Sequence, residues 1–135
     1  MPLEYRAHIV RSDLRAFPGA LWIFGDNLAQ RGLGGQAKEM RGEPNAVGFP
    51  TKRLPSMQPK AFLSDADLPR VIAALETPLQ RIHAQLNANQ LVIIPSAGIG
   101  TGLAQLSTRA PRIALFYTNL FKRLESQYGI VSITE

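Results

Sequence analysis

Two glycine-rich stretches have the composition of a phosphate cradle. The first runs through Gly25-Asp26-Asn27 and on to Gly32-Leu33-Gly34-Gly35, and the second is Ser96-Ala97-Gly98-Ile99-Gly100-Thr101-Gly102. Glycine lets bare backbone N–H groups approach a ligand, and a helix start directly behind such a loop adds a partial positive charge, so a loop of this kind suits phosphate. A surface turn that needed only flexible residues has the same composition, and one loop alone leaves both readings open. Metal chemistry finds no comparable support. His8 falls in the first expected strand and His83 beside an apolar helix stripe, each without a second ligand at metal spacing, so both read as structural. The chain has no cysteine, which excludes a thiolate zinc site and a disulfide framework. Neither a metal ion nor a cofactor is expected.

The elements that must carry these loops follow from the hydrophobic pattern. Tyr5 to Val10 predicts a first strand, ending at Arg11-Ser12-Asp13-Leu14, and Arg15 to Gly19 a turn with the breaker pair Pro18-Gly19. Leu21 to Phe24 is the next strand, leading into the first glycine loop and a helical segment over Gln36 to Arg41. A short strand over Ala46 to Phe49 comes next, and three prolines (Pro50, Pro55 and Pro59) exclude regular structure as far as Leu63, a loop length more often functional than idle. Leu68, Val71, Ile72, Leu75, Leu79, Ile82 and Leu86 draw one apolar stripe along a helix that Pro78 should kink. The apolar run Leu91 to Ile94 reads as a central buried strand that delivers the second glycine loop. Past Ser107, an N-cap candidate, Ile113, Phe116, Tyr117, Leu120, Phe121 and Leu124 mark a last helix with Pro111 near its start, and Ile130 to Ile133 a last strand.

Strands alternating with helices predict a three-layer α/β domain, in which ligands gather at the carboxyl ends of the strands. Both glycine loops lie there, and two loops converging on one crevice suggest a diphosphate. A chain of 135 residues with 45% hydrophobic content is one domain long, residues 1–135, with enough apolar side chains for a single core. The formal charge of +5 suits an anionic partner, nucleotide or nucleic acid, or simply a solvated basic surface, since aromatic residues do not interleave with the charges. No apolar run is long enough to span a bilayer and the N-terminus lacks a signal-peptide pattern. A soluble, cytoplasmic monomer with no membrane partner is the expectation.

Taken together these motifs resemble a macrodomain, and in particular the branch containing the terminal ADP-ribose protein glycohydrolase and the antitoxin that removes ADP-ribose from thymidines in DNA. The chain is also similar to small macrodomain-like proteins of bacteria and their phages. The resemblance covers about Val10 to Leu124, with its parts in the family's order. It implies a three-layer α/β/α fold with a mixed central sheet and binding of ADP-ribose. Ser12-Asp13-Leu14 resembles the family's Gly-Asp-hydrophobe step, whose aspartate binds the adenine amino group, with Ser12 in place of the glycine. Gly32-Leu33-Gly34-Gly35-Gln36-Ala37 looks like the first phosphate loop, and Ser96, Gly98, Ile99, Gly100, Thr101 and Gly102 fall in the second, which wraps the diphosphate and distal ribose. Phe49-Pro50-Thr51-Lys52-Arg53 resembles the Thr-Lys step that carries this branch's catalytic lysine. Where the protein-directed glycohydrolase has an aspartate after Gly-Leu, this chain has Ala104; the antitoxin-like members also lack that acid.

The chemistry so implied is cleavage of a glycosidic bond at the distal ribose, led by Lys52. A lysine attacks carbon only after losing a proton, which burial or a neighbouring cation favours, and Arg53 is adjacent in sequence. Alternatively Lys52 offers only a charge to phosphate or solvent. The Asn27 amide would orient the distal ribose or a water, or else hold its own turn. Asp26 reads as a brace, since no second carboxylate stands at a fixed spacing for acid–base work. Three functions follow: hydrolase releasing ADP-ribose from DNA, RNA or protein; module that recognises or sequesters the nucleotide without turnover; phosphatase on ADP-ribose 1″-phosphate.

Overall fold

The computed structural model describes residues 3–100 and 104–134. Its elements in chain order are β1 (Leu3–Arg6), α1 (Arg11–Ala16), β2 (Leu21–Asn27), α2 (Ala37–Met40), β3 (Ala46–Lys52), α3 (Leu68–Ala74), α4 (Glu76–Asn87), β4 (Val92–Pro95), α5 (Leu106–Arg109), α6 (Pro111–Tyr128) and β5 (Ile130–Thr134). Two single turns of 3-10 helix, Pro59–Ala61 and Asp65–Asp67, lie between β3 and α3. The fold is α/β. The strands form one sheet in the order β3-β2-β4-β1-β5.

Every paired strand in that sheet is parallel, where a mixed sheet was expected. Each strand is followed by at least one helix before the next begins, and such a crossover returns the chain to the end from which it started. Among the described residues an isolated antiparallel bridge joins Lys52, at the end of β3, to Phe62.

Side chains alternate across the sheet, so each strand feeds two layers. Leu21, Ile23, Val47, Phe49, Val92 and Ile94 join Val71, Ile82, Ile113 and Leu124 in one core, under α3, α4 and α6. Trp22, Phe24 and Ile93 form a second core with Leu14 of α1 and with Ala37 and Met40 of α2.

Four departures from the expected elements have local causes. Strand β1 is Leu3–Arg6 and ends before His8, which sits at positive φ (52°) and takes the chain out of the sheet. Residues 11–14, read as the end of the first strand, begin α1, which runs into the expected turn at 15–19 and is closed at its start by Asp13, whose Oδ2 accepts from the Val10 N–H at 2.9 Å. Strand β3 runs past Pro50 to Lys52; it lies at the sheet edge, where a missing N–H is tolerated, and the Tyr117 hydroxyl donates to the Pro50 carbonyl at 2.6 Å. The long helix breaks at Leu75 rather than bending at Pro78. Proline cannot bond to the carbonyl four residues back and crowds it, so the break falls there and Pro78 occupies the first turn of α4.

Candidate functional site

The carboxyl ends of β2 and β3 and the two glycine loops enclose a cavity of about 500 Å³. Its wall includes Gly25, Asp26 and Asn27 of β2, Thr51 and Lys52 of β3, residues 31–37, Pro55-Ser56-Met57, Gly98, Gly100 and Ala104. The loops that looked alike in sequence therefore do converge. Gly25 is one reason: a Cβ there would stand 3.3 Å from Thr51 Oγ1 and 3.7 Å from the Gly100 nitrogen.

The first loop is held from a distance by Arg41, just beyond α2. Both terminal nitrogens of its guanidinium bond the two oxygens of Asp26, its Nε donates to the Gly32 carbonyl at 2.8 Å, and Nη2 donates to the Arg31 carbonyl at 3.2 Å. Gly48 leaves room for this pair, since a Cβ there would be 2.6 Å from Asp26 Oδ2. Asp26 thus braces the loop. Gln36 adds a cross-tie, its Oε1 accepting from the Gly25 N–H at 3.2 Å. Among the described residues, the backbone N–H groups of residues 32–36 donate no hydrogen bond, while all five residues line the cavity. Their unengaged N–H groups, rather than a helix dipole, favour an anion here: α2 is a single turn of four residues, and a macrodipole needs length.

The second loop is packed rather than open. Gly98 and Gly100 line the cavity at φ 85° and 73°, while Ile99 between them is buried in the core. A Cβ on Gly100 would lie 2.9 Å from Leu106 Cβ and 3.3 Å from Thr51 Cγ2. Ser96 stands outside the lining, its N–H donating to the Arg6 carbonyl at 3.0 Å. Thr101 and Gly102 lie outside the described residues.

Lys52 projects from the end of β3 onto the cavity wall, partly buried. Its ammonium donates to the Ser56 carbonyl and sits 4.8 Å from the centroid of the Phe62 ring. Burial first, and the charge of Arg109 second, lower its pKa below the ordinary lysine value. The neighbouring cation is therefore not Arg53, which is committed to Asp67 at 2.6 Å. Successive residues of an extended chain point to opposite sides, which turns Arg53 away from its sequence neighbour.

Asn27 is nearly buried on the cavity wall, and its amide is engaged: Nδ2 donates to the Arg31 carbonyl at 2.7 Å and Oδ1 accepts from the Arg31 N–H at 3.5 Å. Of its two readings, the contacts are those of a turn brace. Asp13 is not among the lining residues and caps α1. Ala104 lines the cavity and is 8% exposed, leaving its wall without the acid that the protein-directed glycohydrolase carries there. His83 bonds through Nδ1 to the Tyr128 hydroxyl at 3.0 Å, and no group of His, Asp and Glu able to hold a metal occurs among the described residues.

Sequence reasoning missed Arg41, Gln36, Arg109 and Phe62. An arginine 15 residues from its aspartate gives no local signal, because the pairing exists only once β2 and α2 have packed together. No helix among the described residues is long and apolar enough to cross a membrane.

The chain belongs to the DUF7831 family, a family of unknown function whose profile matches residues 4–120. No curated protein and no solved structure matches it.

Proposed function

We propose that the crevice binds ADP-ribose or a related nucleotide diphosphate, as the resemblance to macrodomains implies, and that Lys52 releases ADP-ribose from a macromolecule. The observation that carries this reading is the meeting of two glycine loops around one cavity with Lys52 on its wall. The unengaged N–H groups of residues 32–36 suit a diphosphate, and Arg31 on the rim adds charge of the right sign. The Lys52 amine then reaches the distal ribose: its lone pair forms a C–N bond to the anomeric carbon while the bond to the carrier breaks. The carrier leaves with the bonding electrons and takes up a proton, and water afterwards displaces the lysine. The +5 charge of the chain suits an anionic carrier, nucleic acid among them.

A non-catalytic nucleotide-binding module is the second reading. It is supported by the wall at Ala104 and by the engagement of Asp26 with Arg41, which together leave the lining without an unpaired carboxylate to act as acid or base. Release of ADP-ribose from modified DNA, RNA and protein, followed for the wild type, Lys52→Ala and Lys52→Arg, separates the two. Hydrolysis by the wild type that disappears in both variants supports the enzyme, because arginine keeps its proton to a pKa of about 12 or more. Turnover retained in Lys52→Arg excludes a lysine nucleophile, and a wild type that binds without release from any carrier is a binding module.

A further inference from the structure

Against the Phe62 ring, outside the cavity lining, Lys52 meets a second cation that the glycine-loop reading does not use. Arg109, at the end of α5, places its guanidinium carbon 3.7 Å from the centroid of the Phe62 ring, and Lys52 Nζ is 4.8 Å from the same centroid. The ring is 3% exposed, so it is a fixed platform, and Arg109 Nε is steadied by Gln105 Oε1 at 2.9 Å. Among the described residues no carboxylate pairs with Lys52 or Arg109. On β2, Asp26 is bonded to Arg41; in the 3-10 turn, Asp67 is bonded to Arg53 and Arg70, and Asp65 accepts from the Arg112 backbone N–H. The groups that approach the Lys52 ammonium are the Ser56 carbonyl, Met57 Sδ at 3.7 Å and the Phe62 face, none of which carries a negative charge.

We propose that Arg109 is the positioning residue of the Lys52 amine, sharing the Phe62 ring with it so that an uncompensated cation beside the nitrogen keeps it available as a nucleophile. The inference rests on the reading of Lys52 as the reacting group. The direction of the Lys52 shift agrees with the geometry, burial being the larger cause and Arg109 the second. The Ser56 carbonyl acts in the opposite sense by accepting from the ammonium, and burial and Arg109 both work against it.

Competitive acetylation with acetic anhydride, read by mass spectrometry as a function of pH, tests this without any assumption about the nucleotide. The neutral amine forms the amide bond, acetate leaves, and the nitrogen's proton goes to water, so the rate reports the unprotonated fraction. Lys38, Lys60 and Lys122 serve as references in the same sample. The wild-type Lys52 midpoint should lie below those of the references, Arg109→Gln should raise it and slow labelling at neutral pH roughly three- to tenfold, and Arg109→Lys should restore it. An unchanged midpoint in a folded Arg109→Gln variant, or a failure of Arg109→Lys to restore it, overturns the proposal. Should Arg109→Gln not fold, Arg109→Met gives the same answer: its neutral side chain keeps packing against Phe62 while the charge is lost, and an unchanged Lys52 midpoint overturns the proposal. A Lys52 midpoint that follows residue 109 in a protein that neither binds nor releases ADP-ribose leaves this inference standing and removes the proposed function.

Discussion

The two glycine loops are alike in composition and opposite in construction. Around residues 32–36 the backbone is tied by Arg41 from beyond α2 and by Gln36 to Gly25, its N–H groups donate no hydrogen bond among the described residues, and a Cβ on Gly35 would meet nothing within 4 Å, while one on Gly32 would stand 2.6 Å from Pro55 Cβ. In the second loop packing demands a glycine at residue 100, which has Leu106 and Thr51 against it, and Ile99 is sunk in the core. A glycine kept for a ligand leaves space beside it, whereas one kept for the fold has that space already filled. By this criterion Gly35 is the glycine with room for a ligand, whereas Gly32 and Gly100 are required by packing, against Pro55 and Leu106.

Removing the external tie should have the largest effect. Arg41→Ala leaves Asp26, whose side chain is 9% exposed, without its cation, and breaking such a nearly buried pair costs about 3–5 kcal/mol. Chemical denaturation should show a loss of that order together with loss of anion binding. Full stability would mean the first loop holds itself.

Next come paired alanines, one in each loop. Gly100→Ala combines a positive φ with overlap against Leu106 Cβ and should destabilise by roughly 2–4 kcal/mol, so a substitution there reports on folding before it reports on any ligand. Gly35→Ala has only its φ of 57° against it, and about 1 kcal/mol is expected. Equal losses in thermal or denaturant melts would erase the distinction between the loops. The smallest change in stability belongs to Leu33→Glu. Leu33 is 63% exposed on the cavity rim, so the fold should lose less than about 0.5 kcal/mol. A negative charge at that rim should nonetheless weaken a diphosphate ligand by roughly tenfold, measured by titration.

The contrast between the loops was only half legible in the sequence. Apolar runs at 21–24 and 91–94 marked the strands, and the glycines after them marked the crevice, because both signals are local. Which glycines are spare and which are crowded depends on Leu106, Thr51 and Pro55, whose positions follow from packing. Helix α1 escaped notice because six residues carry too little periodicity, and its only cap is the Asp13 carboxylate. Arg53 was the natural neighbour for Lys52 by sequence, yet an extended backbone sends the two apart and Arg109, far along the chain, takes that place. The expectation of a mixed sheet came from the resemblance, whereas the strand and helix alternation already implied parallel strands.

The central claim, that the first loop and its facing wall form a seat for a nucleotide diphosphate, is tested most directly by calorimetric titration of the wild-type protein with ADP-ribose, with AMP as the control. AMP lacks the second phosphate and the distal ribose, and one charge-assisted hydrogen bond contributes about 1.5–3 kcal/mol. The account predicts a single site that takes ADP-ribose at least about tenfold more tightly than AMP. Equal affinity for the two, or no heat with either, would contradict it.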